Sequence, residues 1–263
     1  TLLEQVRGVS GNGARASEMK AKIKTAASQK QAVMPVGSGT FSRFGNLPNR
    51  DTQSLSSLSM ADVIEYDPPN QVITVGAGIS LAALQEHLRA NNQWLPLRPP
   101  FFSTGSTIGS LVALAACGPE RMAYGAPRDL LLGLRYIDSK GVLVTAGGRV
   151  VKNVAGYDMT RLLTGSAGTL GFMSEATWRV STIPERCAAI TAIGSLDVCA
   201  ATAVKIIQST LSAVYVTGRP VDQPSAGKVS GDWKLVVGFE GFSQTVDYQM
   251  EKCGAVLEMD GLH

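Results

Sequence analysis

Apolar and polar positions in the first part of the chain follow two periods, one typical of helices and one typical of strands. Apolar residues at helical spacing predict a helix over 16–28, and the glycines of 11–13 interrupt its start. Ser80 is the expected N-cap of a second helix, whereas residues 43–57 are polar and predict a surface segment. Short apolar runs bounded by turn residues predict strands at 32–36, 59–67, 71–75, 130–137, 142–146 and 176–180.

Beyond Pro184 the pattern becomes a compact series of six elements. Strands are predicted at 188–193, 211–217, 233–239 and 255–259, and helices at 196–209 and 243–252. The resulting order, β-α-β-β-α-β, is the ferredoxin-like arrangement. We therefore expect two domains, 1–183 and 184–263, in an α+β protein. The second would be a small ferredoxin-like domain. Its sequence could also continue beyond His263, in which case the domain is truncated here.

Two glycine-rich stretches in the first domain suggest a ligand. Residues 32–40, AVMPVGSGT, lead an apolar run into a loop with consecutive small residues, and Gly165, Gly168 and Gly171 recur at three-residue spacing. Consecutive backbone N–H groups in such loops form concave anion sites, for which a diphosphate is a common guest. Neither stretch is a Walker loop or a Rossmann fingerprint. Taken alone, tight turns between packed elements are an equally good interpretation.

Composition narrows the class of protein. The chain has 263 residues, of which 44% are hydrophobic and 17% charged, which predicts a sizeable core. The net charge of +3 is too small and scattered to indicate nucleic acid. The longest strongly apolar run, at 111–117, is too short to span a membrane. The four cysteines form no CxxC pair, which predicts neither a disulfide framework nor a metal site and is typical of a reducing compartment such as the cytoplasm.

The order of the motifs resembles the FAD-binding domain of the vanillyl-alcohol oxidase / p-cresol methylhydroxylase (PCMH-type) superfamily, and within it the FAD-binding subunits of bacterial glycolate (D-2-hydroxy-acid) oxidases. The matching segments are PVGSGT at 35–40, VGAGISLAAL at 75–84, STIGSLVALAACGPERMAYGAPRDLLLG at 106–133 and KNVAGYDMTRLLTGSAGTLGFMSEAT at 152–177. The resemblance implies a PCMH-type domain of two α/β subdomains, followed by a cap that covers the flavin and carries much of the substrate specificity.

The resemblance also implies the residues that bind the cofactor. They are Pro35, Val36, Gly37, Ser38, Gly39, Thr40, Pro100, Ser106, Thr107, Ile108, Gly109, Gly118, Tyr124, Gly125, Arg128, Asp129, Gly165, Gly168, Thr169, Gly171 and Phe172. Arg128 and Asp129 either contact the cofactor or orient their own loop, and the sequence leaves both roles open. Asp158, in the matching GYD, is expected to be a structural anchor. Flavin-linking histidines of the family lie near the first glycine loop, where Thr40 and Phe41 stand here, which implies noncovalent FAD.

Catalytic residues are not assignable from the sequence. Oxidation of a hydroxy acid needs a base for the hydroxyl proton, commonly histidine, and the chain has only His87 and His263. An exposed helical position is the favoured interpretation of His87. In the second domain Tyr215, Arg219 and Glu240 are candidates by residue type alone.

The function implied by the resemblance is FAD-dependent oxidation of a short 2-hydroxy acid, glycolate or D-lactate, by hydride transfer. The implied partners are a larger flavoprotein subunit and an iron–sulfur subunit, through which a cytoplasmic chain would sit peripherally at the inner membrane. The alternatives are a standalone FAD oxidoreductase for another substrate and a non-catalytic flavin-binding subunit for electron transfer or assembly. A nucleotide-binding protein that never uses flavin is a more distant alternative.

Overall fold

The computed structural model describes residues 7–42, 44–45, 51–102, 105–148, 157–221 and 231–262. In chain order the helices are α1 (Arg7–Ser28), α2 (Leu81–Arg89), α3 (Ile108–Leu114), α4 (Arg121–Tyr124), α5 (Pro127–Leu130), α6 (Met159–Leu163), α7 (Leu196–Gln208) and α8 (Ser243–Met259). The strands are β1 (Ala32–Val36), β2 (Thr52–Ser56), β3 (Val63–Asp67), β4 (Val72–Gly76), β5 (Gln93–Trp94), β6 (Leu131–Ile137), β7 (Leu143–Gly147), β8 (Phe172–Arg179), β9 (Ser181–Thr182), β10 (Arg186–Gly194), β11 (Tyr215–Pro220) and β12 (Trp233–Gly241).

The chain divides into two compact units. The first unit contains Thr1–Gly118 and Gly125–Thr182, and the second contains Pro119–Tyr124 and Ile183–His263. The short segment that carries α4 therefore leaves the first unit and returns to it.

The first unit is built on an antiparallel sheet in the order β3-β4-β8-β6-β7. Helices α2 and α3 supply its main core, in which Trp178 of the central strand β8 is fully buried. Apolar residues recur at helical spacing in α2 and α3, and they pack with the apolar residues of the sheet in one cluster. A parallel pair, β1 with β2, packs with α1 around a smaller cluster that includes Met19, Ile23 and Leu55.

Two expectations for the first unit were wrong. Helix α1 begins at Arg7 and runs through 11–13, because Asn12 is only 2% exposed and its Nδ2 donates to Glu175 Oε1 at 3.2 Å. That buried hydrogen bond stabilises the helix between Gly11 and Gly13. Within the segment expected to be polar surface, 52–56 forms β2, because its backbone pairs in parallel with β1 and Leu55 is buried.

The second unit is a three-stranded antiparallel sheet in the order β10-β12-β11, packed against α7 and α8. The strand predicted at 255–259 is instead the end of α8. Val246, Cys253 and Leu257 form one buried helical face, so burying Leu257 requires the helix to continue. The described part of this unit therefore has the order β-α-β-β-α and lacks the fourth strand of a ferredoxin-like fold.

Candidate functional site

The loop after β1 is fixed by a close approach to the start of α3. A Cβ added to Gly37 would lie 2.3 Å from Thr107 Oγ1, so only glycine fits there without a shift. Gly39 has φ +80°, and a Cβ built on it would meet no atom within 4 Å, so this side of the loop is open. In the part of the chain that the structure describes, no oxygen accepts a hydrogen bond from the backbone N–H groups of Ser38, Gly39 or Thr40.

The turn before α3 contributes two buried hydroxyls. Ser106 is fully buried, and its Oγ donates to the Phe101 carbonyl at 3.0 Å and lies 3.5 Å from Thr40 Oγ1. Thr107 is 1% exposed, and its Oγ1 is buried without a hydrogen-bond partner among the described residues. An orphaned buried hydroxyl costs free energy unless a ligand satisfies it.

Helix α3 is locked against the turn that follows β4. Its first N–H groups are already used, because Ile108 donates to the Ile79 carbonyl at 2.9 Å and Gly109 to the Ala77 carbonyl at 2.7 Å. A Cβ on Gly109 would lie 3.1 Å from that carbonyl oxygen, so the glycine permits the contact. The start of α3 is therefore positioned by backbone hydrogen bonds, and the loop after β1 keeps the available N–H groups.

Residues 57–60 brace the same turn from the other side. A Cβ on Gly76 would lie 2.2 Å from the Met60 carbonyl oxygen, and one on Gly78 would lie 1.9 Å from the Ser57 carbonyl oxygen. The Gly78 N–H also donates to the Met60 carbonyl at 2.8 Å. The glycines of the matched VGAG segment thus serve backbone-to-backbone packing that leaves no room for side chains.

The third glycine stretch, 165–171, bridges the end of α3 and β1. Gly165 donates to the Val112 carbonyl at 2.9 Å, and Ala167 donates to the Ala113 carbonyl at 2.7 Å. A Cβ on Gly168 would lie 3.7 Å from the Pro35 ring. Ser166 Oγ is buried without a partner among the described residues, and thus is a second orphaned hydroxyl.

This stretch then closes onto the sheet. A Cβ on Gly171 would lie 2.8 Å from the Tyr136 ring, and Phe172, which begins β8, is 2% exposed. The exposed Thr169 hydroxyl donates to the Ser166 carbonyl of the same loop at 2.7 Å. Both Thr169 and Phe172 therefore stabilise the loop and its anchoring strand.

The structure thus brings three distant glycine stretches, 37–39, 76–78 and 165–171, together around α3. Gly37 meets the start of this helix, Gly165 meets its end, and Gly168 returns to β1. The helix is seven residues long, so the site follows about 10 Å of its length. Unused N–H groups and two orphaned hydroxyls in a cradle of small residues suit an elongated, polyoxygen anion such as a diphosphate.

An aromatic pair borders the first loop and was missed in the sequence. Phe41 and Phe101 pack edge to face, with ring centroids 5.4 Å apart. Phe101 has φ +62° and remains 53% exposed, next to exposed Pro100. Two consecutive phenylalanines after a proline pair were the available signal. An exposed ring held in a left-handed backbone conformation is typical of a ligand contact.

The cofactor-binding residues predicted at 118–129 have different structural surroundings. Gly125 has φ +90°, and a Cβ added to it would lie 2.9 Å from Asp129 Cβ. Asp129 Oδ2 accepts a hydrogen bond from Ala126 N–H at 2.8 Å. Asp129 therefore holds this turn, while Arg128 is 64% exposed on its side chain and lies 3.7 Å from Asp129 Oδ1. Gly118 and Gly125 flank the segment that belongs to the second unit. Within that unit, Tyr124 Oη donates to Glu240 Oε2 at 2.9 Å.

Two further titratable residues have structural partners. Asp158 caps α6, and the hydrogen bonds from the Thr160 hydroxyl and the Arg161 N–H lower the pKa of its carboxyl below the ordinary value. His87 is exposed on α2, and its ring packs 5.5 Å from that of Tyr66. Lys152 lies outside the described residues.

A buried charged group in the first unit was not foreseen. Glu175 is 6% exposed in β8, and Arg135 Nη1 donates to both of its carboxylate oxygens, at 3.0 and 3.2 Å. Together with Asn12 this pair ties α1 to the sheet. The single charged residue in the segment MSEATW, at 173–178, was the signal that could have revealed it.

The remaining chemistry is limited. All four cysteines lie in described parts of the chain, and none is joined in a disulfide bond. The described ranges contain no group of three or more histidine, cysteine, aspartate or glutamate residues arranged to hold a metal ion. In the same ranges, every helix is too short or too polar to cross a bilayer.

Comparison with known proteins now decides the family. The sequence profile described as "FAD binding domain" matches residues 14–147, about half of the chain. The chain belongs to this FAD-binding family. FAD is therefore its cofactor, and the matched range contains both the first loop and the turn at α3. The donor set fits that cofactor, because FAD carries a diphosphate and the site offers unused N–H groups and two orphaned hydroxyls.

Curated relatives are named as hydroxy-acid oxidoreductases. The Escherichia coli glycolate oxidase subunit GlcE is 39% identical over 128 residues, covering 49% of this chain and 37% of that protein. The Bacillus subtilis glycolate oxidase subunit GlcD is 30% identical over 237 residues, covering 85% and 49%. An Archaeoglobus fulgidus D-lactate dehydrogenase is 31% identical over 163 residues, covering 62% and 36%. The chain spans half or less of the length of these relatives.

Solved structures confirm the fold. A structure of alkyldihydroxyacetonephosphate synthase superimposes with a TM-score of 0.75 over 93% of this chain and 49% of the other, at 19% identity. A second crystal form of that enzyme gives a TM-score of 0.73. The fold is therefore the PCMH-type FAD-binding fold that the motif order implied.

Proposed function

We propose that the chain oxidises a short 2-hydroxy acid, glycolate or D-lactate, with FAD as the oxidant. The observation that carries the proposal is the convergence of the three glycine stretches around α3 in a member of the FAD-binding family. The names of the relatives support the substrate class, since glycolate and D-lactate differ by one methyl group and share the hydroxyl and carboxylate.

The residues that would hold FAD lie in the first unit. The N–H groups of Ser38, Gly39 and Thr40 and the hydroxyls of Thr107 and Ser166 would bind the diphosphate, because none of them has a hydrogen-bond partner among the described residues. When bound, FAD accepts the hydride that leaves the carbon bearing the substrate hydroxyl. The chain would contribute position, exclusion of water and the electrostatic setting.

Attachment of the flavin is proposed to be noncovalent. A covalent bond from histidine to the flavin would need a histidine near the loop after β1, and Thr40 and Phe41 occupy this position. Heat or acid should therefore release intact FAD into solution, whereas a covalent flavin would stay with the protein pellet.

Assembly and location belong to the same proposal. We infer that the chain works beside a larger flavoprotein subunit and an iron–sulfur subunit, with FAD held by residues 1–183 and substrate specificity contributed by 184–263. Two of the relatives are named as subunits, which supports a complex. Four cysteines without disulfides suit the cytoplasm, with attachment to the inner membrane through the partners.

The test begins with the visible absorption spectrum of the purified chain, before and after heating. We expect a flavin spectrum that moves into the supernatant on heating, and bleaching of that spectrum on anaerobic addition of glycolate or D-lactate. L-lactate serves as the control for the stereochemistry. A colourless chain that also fails to take up added FAD would overturn the proposal.

A non-catalytic flavin-binding subunit is the second candidate. One observation favours it: the histidine found among the described residues, His87, is exposed on α2 beside Tyr66 rather than buried with other polar groups. In this case the chain would take up FAD, yet neither acid would bleach it until the partner subunits were added.

A further inference from the structure

The sheet of the second unit has one face that α7 and α8 leave uncovered. On the central strand β12, Leu235, Val237 and Phe239 belong to the buried cluster formed with α7 and α8. Because strand side chains alternate between faces, Lys234 and Glu240 lie on the opposite face. The residues of β11 and β10 that pair with this set share that face.

Strand register then places two cations side by side. In the antiparallel pairing of β11 with β12, Arg219 stands directly opposite Lys234. Directly opposed residues on one face have Cβ atoms about 5 Å apart, and like charges in such a pair repel each other. Arg219 is exposed, whereas Lys234 is half-buried, so the repulsion is only partly screened by water.

Neither cation has a counter-ion in the described structure. Within the described ranges, no carboxylate forms an ion pair with either side chain. Other cations of the same unit are paired: Arg186 Nη2 lies 2.9 Å from Asp247 Oδ1, and Lys205 Nζ lies 2.5 Å from Asp260 Oδ1. Arg219 and Lys234 therefore differ from these two paired cations of the same unit.

Strand alternation places two acidic residues on the same face as Lys234. Asp232, exposed and two residues before Lys234, forms no ion pair with either cation in the described ranges. Glu240 is six residues along β12 from Lys234, which corresponds to about 20 Å. It already accepts a hydrogen bond from Tyr124. Thr217 lies on the same face, two residues before Arg219, so the α-carbons of these two residues are about 7 Å apart.

We propose that Arg219 and Lys234 form a binding site for the carboxylate of a small hydroxy acid, with Thr217 beside its hydroxyl. The guanidinium presents two parallel donors to a carboxylate, and the ammonium adds a second positive charge. The anion site follows from the paired charges, while the identity of the acid rests on the proposed function.

The test is a titration of the FAD-loaded chain with D-lactate and glycolate, followed by the NMR shifts of backbone amides in β11 and β12. We expect saturable shifts, and Arg219→Gln or Lys234→Gln should weaken the affinity at least tenfold. Propane-1,2-diol, which lacks the carboxylate, should cause no saturable shift. Arg186→Gln is the matched control, since it removes a paired cation from the same sheet and should leave the affinity unchanged.

Several outcomes would overturn the site. Unchanged affinity in both variants would do so, as would equal weakening by Arg186→Gln or an absence of saturable shifts. Inorganic phosphate is the competing probe: if it binds through the pair while neither hydroxy acid does, the carboxylate assignment is wrong.

Failure of the site and failure of the proposed function are distinguishable. If the chain takes up FAD and an acid bleaches it while the variants bind that acid normally, the function stands and the site is wrong. If the chain refuses FAD but binds D-lactate through Arg219 and Lys234, the site stands and the oxidation chemistry is wrong.

Discussion

The two units make polar groups available in different ways. In the first unit, the available groups are backbone N–H groups and two hydroxyls, held by glycines that allow close backbone packing. In the second, they are two cationic side chains on neighbouring strands. The backbone site depends on space that a single methyl group would fill, whereas the side-chain site depends on strand register. Substitutions at the backbone site should therefore change the free energy of unfolding much more than substitutions at the side-chain site.

The largest effect is expected where a glycine faces backbone. Gly78→Ala would place a Cβ 1.9 Å from the Ser57 carbonyl oxygen, which cannot rotate away as a side chain can. We expect a loss of about 3 kcal/mol in the free energy of unfolding and loss of bound flavin. Urea denaturation and the flavin absorbance measure both.

The matched control for this change is Gly13→Ala. Gly13 lies in α1, where an added Cβ meets no atom within 4 Å, so the variant should gain up to about 1 kcal/mol from helix propensity. Equal destabilisation by the two alanines would contradict a role for close packing at the turn after β4.

The next effect tests the contact between the first loop and α3. Gly37→Ala brings a Cβ to 2.3 Å from Thr107 Oγ1, and we expect a loss of about 2 kcal/mol. In the double variant with Thr107→Ala the clashing hydroxyl is absent, so more than half of that loss should be recovered. Denaturation of the four proteins of the cycle gives the coupling energy. Additive losses would show that the two residues do not meet.

Motif order predicted the first unit well, and the reason is physical. Sites made from backbone require glycine at fixed places, so 37–40 and 165–171 are visible in the sequence before any contact is known. Helix α2, with its cap Ser80, was likewise predictable from local periodicity, and Ser80 Oγ does accept a hydrogen bond from Ala83 N–H at 3.1 Å.

The failures came where tertiary pairing decides. Strand β2 has a mostly polar sequence, and it forms because its backbone pairs in parallel with β1. The end of α8 reads as a strand locally, yet Leu257 is buried only if the helix continues. Arg219 was a candidate by type alone, since its position opposite Lys234 depends on a register that no local pattern specifies.

A third prediction concerns the orphaned hydroxyl of Thr107. Thr107→Val replaces a buried unpaired hydroxyl with a methyl group of similar size, so the flavin-free chain should become more stable by about 1 kcal/mol. Flavin affinity should fall about tenfold if the hydroxyl serves the cofactor. Thermal unfolding without flavin and a flavin titration provide the two readouts.

The control for this change comes from the second unit. Thr202 is fully buried, but its hydroxyl donates to Asp260 Oδ2 at 2.7 Å, so Thr202→Val should lower the stability. If both valine variants destabilise the chain alike, the Thr107 hydroxyl has a partner and does not await a ligand.

A smaller effect checks that Asp158 is a structural cap rather than a proton carrier. Its carboxyl pKa is lowered by the Thr160 hydroxyl and the Arg161 N–H, so the folded state favours the ionised form. That stability is present above the ordinary pKa near 4 and disappears as pH falls through the folded value. Asp158→Asn should cost about 0.5 kcal/mol at pH 7, discounted for exposure, and less at pH 3. Urea denaturation at both pH values measures this, and a difference independent of pH would contradict it.

The smallest effect returns to the second unit and has the opposite sign. Lys234→Gln removes one of two opposed like charges, so the ligand-free chain should gain about 0.3 kcal/mol, and more at low salt. Thermal unfolding at two salt concentrations measures the gain. Arg186→Gln, which breaks the pair with Asp247, should show no gain. A loss of stability in Lys234→Gln would mean that the lysine already has an anionic partner in the folded chain, and the second unit would then hold no cation pair waiting for a ligand.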